Sequence, residues 1–247
     1  MRSSSKVLSS PPIAEGRTAE IYLWDDQHVL KLYRDWCPPG WVEYEARIAR
    51  LVYAAGIPSP EASEIVELDG RRGLIYQRLE GISMVQDLKA RPWLLFQHAR
   101  SLAELQCKIH EKSSVELPSY KDRLRYDIEE ASHLTEGLRR KAIDLLDQLP
   151  DGQSICHGDF HPENVLITQS GPVVIDWMTA CSGRPWADVA RTSLILTIGV
   201  KTAAKQVPLF LRLMVAILSA ASVKSFPRVR NKPHARLNAG PAQTARP

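Results

Sequence analysis

Ile155-Cys156-His157-Gly158-Asp159-Phe160-His161-Pro162-Glu163-Asn164-Val165-Leu166-Ile167, followed by Val173-Val174-Ile175-Asp176-Trp177, constrains this chain more than any other stretch. Two short apolar, β-rich runs flank a polar loop, and the second run ends on a carboxylate. A tight turn at Gly171-Pro172 precedes that second run. Asp159, Asn164 and Asp176 can therefore converge at one end of a sheet. Such a set of hard oxygen donors suits a site that handles phosphate together with a divalent cation.

With 247 residues, 44% of them hydrophobic and 24% charged, the chain can build one large domain or two small ones around a packed core. Cys37, Cys107, Cys156 and Cys181 are widely spaced and form no C-x-x-C pair, so the pattern indicates neither a zinc site nor a disulfide framework. A reducing, cytoplasmic setting is expected. Residues 1–12 are polar and Ser-rich with no apolar core of a secretory signal, and a flexible N-terminus is expected there. The longest charge-free run of the apolar region, Leu213 to Val223, is too short to span a bilayer, so no membrane association is expected.

Charge is unevenly spread. Residues 177–247 hold 11 of the 32 Lys/Arg but only one of the 28 Asp/Glu, Asp188, which leaves an acidic body carrying a basic last third.

Along the chain, residues 13–24 and 28–33 read as two strands joined at Asp25-Asp26-Gln27, with a turn at Gly16 before the first. The alternating pattern leaves Lys31 facing either solvent or a cleft, and its local sequence favours solvent. Apolar residues at 41, 44, 48, 51, 52 and 55 mark a helix that stops at Gly56 and carries Glu45 beside its stripe; Glu43 is less favourably placed. Residues 61–68 and 73–79 form a hairpin around Asp69-Gly70. From Pro92 the pattern turns helical: Trp93 to His110, then Tyr120 to Leu149 with a break near Gly137, and again 186–223. Residues 224–247 lack any period and almost any large apolar side chain, and disorder is expected. The expected division is thus 1–12, an N-lobe over 13–81, a helical C-lobe over 82–223 and a tail over 224–247.

Phosphoryl transfer asks a protein for a held Mg2+, a cation on the phosphates and an acceptor for the hydroxyl proton. Asn164 and Asp176 can supply metal ligands, Asp159 a base or orienting acceptor, and Lys31 the cation, held by Glu45.

H-G-D-F-H-P-E-N followed by V-V-I-D-W resembles the catalytic and metal-binding signature of the aminoglycoside phosphotransferase and choline kinase-like family, relatives of the protein kinases. The resemblance extends through Glu15-Gly16-Arg17-Thr18, Lys31, Glu45, Ile57-Pro58-Ser59-Pro60, Ile75 to Gly81 and Leu102 to His110, and covers about residues 13–200. It implies an α+β, bilobal protein-kinase-like fold with a small β-rich N-lobe and a larger helical C-lobe. It implies ATP and Mg2+ as cofactors, with ATP between the lobes near Gly16. Lys31 would hold the phosphates, Glu45 would pair with it, and Tyr76, Gln77, Arg78 and Leu79 would offer backbone groups to adenine. Asp159 would be the catalytic base, Asn164 and Asp176 the metal ligands, and Asp188 a brace for the loop.

His157 is expected to pack under the loop and bond backbone, His161 to sit at the loop crest, and His110 to be a core residue at a helix end. Trp177-Met178 departs from the Phe-Gly that follows the metal-binding Asp in protein kinases. Asp188 follows Asp176 by 12 positions, too few for a phosphoregulated activation loop, so a small-molecule acceptor is expected.

The expected activity is ATP-dependent transfer of the γ-phosphoryl group to a hydroxyl of a small molecule. The basic last third favours a neutral or anionic acceptor over a polycationic one. The alternatives are an aminoglycoside O-phosphotransferase, and a nucleotide-binding pseudoenzyme whose acceptor site was lost with an altered C-terminus. Nucleic-acid binding by the tail is disfavoured, because Phe226 is its only aromatic residue. Oligomeric state is not legible in the sequence.

Overall fold

The computed structural model describes residues 11–202, with side chains through Ile198. The expected tail at 224–247, the helical reading beyond Thr202 and most of the expected flexible N-terminus lie outside these residues.

Five antiparallel strands open the fold: β1 Ala14–Glu15, β2 Ala19–Leu23, β3 His28–Tyr33, β4 Ala62–Leu68 and β5 Arg71–Gln77, in the order β1-β2-β3-β5-β4. The β4–β5 hairpin turns at Asp69 (φ 51°) and Gly70 (φ 76°), both left-handed, as a two-residue turn between right-twisted strands requires. Strand alternation gives the sheet two apolar faces. Leu30, Leu32, Val66, Leu68 and Ile75 cluster on one. Tyr33, Ala62 and Leu74 meet Val42, Ala46 and Ala49 of helix α1, Gly40–Ala54, on the other. Helix α1 stops before Gly56 (φ 73°), a C-terminal residue in the left-handed conformation.

A three-stranded sheet then joins β6, Gly81–Ser83, to β8, Val165–Thr168, and β9, Gly171–Val174. Helix α2, Met84–Ala90, follows β6 directly and starts on a capping box formed by Ser83 and Gln86. The remaining helices are α3 Leu95–His110, α4 Tyr120–Glu130, α5 Glu136–Gln148 and α6 Pro185–Thr202, with a two-stranded ladder of β7, Ser154–Cys156, and β10, Cys181–Gly183.

The expected break near Gly137 is found at residues 131–135. Thr135 caps α5 by accepting from the Leu138 N–H, so Gly137 falls inside the first turn of the new helix. The cap, not the glycine, sets the boundary.

One core crosses from the small lobe to the large. Ile48 and Val52 of α1 pack with Met84 and Leu88 of α2, Leu102 and Ile109 of α3, and Ile155, Phe160, Val165 and Trp177 around the polar loop. Leu102 is fully buried there. Leu102→Ala should destabilise the protein by about 2–5 kcal/mol through lost transfer energy and a residual cavity. A thermal melt should show it as a drop on the order of 5–15 °C.

Cys156 and Cys181 stand opposite each other in the β7–β10 ladder, both buried. Burial and the nearby Asp188 carboxylate raise both thiols, Cys181 to about 12. Neither should react with iodoacetamide in the folded protein, whereas denaturant should expose both; mass spectrometry of alkylated peptides decides it, and native labelling of either would contradict the packing.

Candidate active site

The β3 alternation that buries Leu30 and Leu32 on one face turns Lys31 to the other, against α1. Lys31 Nζ lies 2.8 Å from Glu45 Oε1 and 3.1 Å from Asp176 Oδ1. The local reading that left Lys31 facing solvent is therefore corrected: its side chain is 14% exposed, and that of Glu45 only 1%. Burial alone would depress the ammonium, but the two carboxylates outweigh it and hold Lys31 well above its ordinary value. Tyr76 donates its hydroxyl to the same Glu45 oxygen at 2.7 Å. Burial, with the Glu45 charge beside it, pushes that phenol well up, so it stays a donor. Glu43 is half-exposed and in contact with Arg72.

Asp176 comes at the end of the β8–β9 hairpin with φ 62°, a left-handed conformation that aspartate adopts more readily than most residues other than glycine. Its carboxylate is 48% exposed while touching Lys31. Asn164 ends a short 3-10 turn at Pro162–Asn164. Its Nδ2 donates to Asp159 O at 2.9 Å and lies 3.5 Å from Asp159 Oδ2, and its backbone carbonyl accepts from Ile175 N at 3.0 Å. The Asn164 Oδ1 has no hydrogen-bond donor among the described residues. Lys31, Glu45 and Asp176 thus form one set of polar contacts, Asp159 and Asn164 a second, and the Ile175 N to Asn164 O bond beside Asp176 joins the two.

The loop itself is held from below. Gly158 adopts φ 77°, and a Cβ there would stand 2.5 Å from Thr179 O, so only glycine fits. Thr179 Oγ1 donates to His157 O at 2.8 Å. Asp188, fully buried, accepts from Gly158 N at 2.8 Å and from His157 N at 3.3 Å. His110 Nε2 donates to Asp188 Oδ2 at 2.9 Å, and Gln106 reaches the same oxygen at 3.3 Å. Burial would raise the Asp188 carboxyl; the His110 hydrogen bond and the Gly158 N–H outweigh it and hold it below its ordinary value.

His157 is buried between Trp177 and Phe160. Its Nδ1 accepts from Asp159 N at 3.2 Å, which leaves Nε2 to donate to Ile175 O at 3.1 Å. Burial depresses the imidazole, keeping it neutral. This ring is a strut between the two segments that carry the site oxygens. His161 Nε2 sits 3.6 Å from Asp159 Oδ2, and that ring is the chief reason the Asp159 carboxyl lies below its ordinary value. Asp159 is accordingly a carboxylate.

In the segment Tyr76 to Leu79, Gln77 N donates to Glu61 O at 2.9 Å and Arg78 N to Gln27 O at 2.7 Å. These two N–H groups are already used. The backbone groups of Leu79 have no partner among the described residues. Gly16 lies in the turn between β1 and β2, where its N–H donates to Ala19 O at 2.8 Å.

Sequence reasoning missed two contributors. The Tyr76 hydroxyl carries no local signal for Glu45, since only the pairing of β3 with β5 brings it there. Arg191 of α6 donates from Nε to Gly158 O, a contact between residues 33 apart that nothing in either segment announces.

A small strand-rich lobe over a helical lobe, with a lysine–glutamate pair facing a loop of Asp, Asn and Asp, defines a kinase-like phosphotransferase. The sequence model of the phosphotransferase enzyme family matches residues 10–212; the chain belongs to that family and is a small-molecule kinase. Among solved structures it is similar in fold to the gentamicin complex of APH(2")-IIa, at 16% identity over 87% of this chain and 79% of that one, TM-score 0.50. It is likewise similar to an aminoglycoside-3'-phosphotransferase of type VIII, at 17% identity over 87% and 92% of the two chains, TM-score 0.52. No curated protein matches the chain. No helix among the described residues is long and apolar enough to cross a membrane.

The depressed Asp188 carboxyl sets a pH dependence. Its stabilising contribution is fully present above its unfolded value near 3.8 and is lost as pH falls through the lower folded value. Asp188→Asn should therefore melt below the parent at pH 7, with the gap closing towards pH 3. Equal gaps at both pH values would show that the charge is not what holds the loop.

Proposed function

We propose that the protein transfers the γ-phosphoryl group of ATP to a hydroxyl of a small molecule, with a neutral or anionic acceptor preferred. The observation that carries this reading is the contact of Lys31 with both Glu45 and Asp176, beside the Asp159–Asn164 pair that the Ile175 N to Asn164 O bond ties to the same place. We take residues 13–81 as the nucleotide-facing lobe and residues from 82 as the helical lobe.

In this reading Lys31, kept charged and oriented by Glu45, meets the phosphates, and ATP lies beneath β1 and β2 near Gly16. Adenine meets the Tyr76–Leu79 segment chiefly through Leu79, because Gln77 and Arg78 have spent their N–H groups. Asn164 Oδ1 and the half-exposed Asp176 carboxylate are hard oxygens without a full set of donors, which fits Mg2+. Bound there, Mg2+ would neutralise charge on the phosphate oxygens. Asp159 accepts the proton of the acceptor hydroxyl as its oxygen bonds to the γ-phosphorus and the bridging bond to ADP breaks. Its lowered pKa makes it a weak base, so its larger task is to orient the hydroxyl.

An acceptor of the aminoglycoside kind, as in the relatives' complexes, is the competing reading. It would require acidic side chains around the acceptor, and the last third of this chain supplies Asp188 alone, which is buried under the loop.

ADP release by the full chain against a panel of hydroxyl compounds tests the reading. Asp159→Ala and Asp176→Ala should each lower turnover by a factor of about a thousand or more. An Asp159→Ala protein as active as the parent would refute the assignment. Stimulation by low concentrations of an aminoglycoside would refute the acceptor preference.

A further inference from the structure

His157 and His161 flank Asp159 on the polar loop, and they sit differently. His157 is wholly buried. His161 stands at the crest with 21% of its side chain exposed. Its carbonyl accepts from Asn164 N at 2.9 Å, which closes the 3-10 turn that Pro162 opens. Residues three apart across such a turn lie over one another. The two side chains meet there, with His161 Nε2 3.3 Å from Asn164 Nδ2.

A second contact fixes which end of the Asn164 amide faces the ring. A backbone carbonyl can only accept, so the amide atom 2.9 Å from Asp159 O is the nitrogen. That nitrogen carries two hydrogens. One goes to Asp159 O; for the other, His161 Nε2 is the nearer acceptor, with Asp159 Oδ2 at 3.5 Å. Nε2 therefore acts as an acceptor in this contact, and it lies 3.6 Å from Asp159 Oδ2, beyond hydrogen-bond reach. With both hydrogens turned towards the loop, the Asn164 oxygen is turned away from it. A half-turn of the amide would set that oxygen against two acceptors, the Asp159 carbonyl and the ring nitrogen. Without the ring, one acceptor alone opposes the half-turn.

We propose that His161 is a positioning residue for the metal: its Nε2 locks the Asn164 amide with Oδ1 directed at the Mg2+ that the nucleotide carries. This rests on Asn164 being a metal ligand in the phosphotransfer reading. His161 acts only through Asn164, as the outer partners of metal ligands do when they hold a ligand in one of two orientations. Its loss costs metal affinity and leaves the grip of Lys31 on the phosphates intact.

The test compares the full chain with His161→Leu, which keeps bulk and removes the acceptor, and His161→Gln, whose amide oxygen can take the place of Nε2. Affinity for a non-hydrolysable ATP analogue is measured calorimetrically with and without Mg2+. Mg2+ should tighten binding to the parent. His161→Leu should lose about tenfold in the affinity that Mg2+ confers, at unchanged affinity for the analogue alone, and His161→Gln should keep most of it. The same leucine change in an Asn164→Ala background should cost nothing further. A leucine variant with the parent's full Mg2+ increment, or a glutamine variant as impaired as the leucine one, overturns the proposal. So does an equal loss of affinity for the Mg2+-free analogue, which would mark a loop deformed as a whole. A parent that gains nothing from Mg2+ refutes the metal reading itself and this proposal with it, and the parent titration alone tells that failure from the others.

Discussion

The Lys31 ammonium ties together three parts of the molecule that no local sequence connects. It leaves β3, reaches Glu45 on α1, and touches Asp176 at the end of the β8–β9 hairpin. Ion pairs this buried add little net stability, because desolvation offsets most of the attraction. Their effect is positional. Neither carboxylate can move far without leaving a charge unpaired, so α1, the small sheet and the turn that carries Asp176 are held in one register. Tyr76 sharpens this by offering Glu45 a hydroxyl from the neighbouring strand.

A second polar core works on the other side of the loop. Asp188 spends its oxygens on two consecutive backbone N–H groups, a histidine and a glutamine, all within the helical lobe. With His157 bridging to Ile175 O, the loop backbone is fixed from two directions. The consequence for chemistry is that Asp159 and Asn164 project from a rigid base, as catalytic geometry demands. The small and large lobes also share a continuous apolar core through α1, which lets the lysine and the loop face each other without a long flexible connection.

The residues whose role depends on order along the chain were the readable ones. The His157–Asn164 loop, the Asp176 turn and the helix ending at Gly56 all follow from residue type and spacing. Where a side chain points was harder to read. Lys31 between two leucines looks like an exposed strand residue until the sheet is assembled and α1 is found on its side. The helix break near Gly137 is legible in the sequence, but the capping hydroxyl of Thr135, not the glycine, sets its boundary. The opposition of Cys156 and Cys181 is a product of tertiary packing that one-dimensional spacing does not encode.

The central claim is that Asp176 faces both Lys31 and a nucleotide-borne metal. Affinity for an ATP analogue, measured with and without Mg2+ in the parent and in Asp176→Asn, tests it directly. Mg2+ should tighten binding to the parent by about tenfold or more, and that increment should vanish in the variant. An increment of the same size in both proteins would contradict the account.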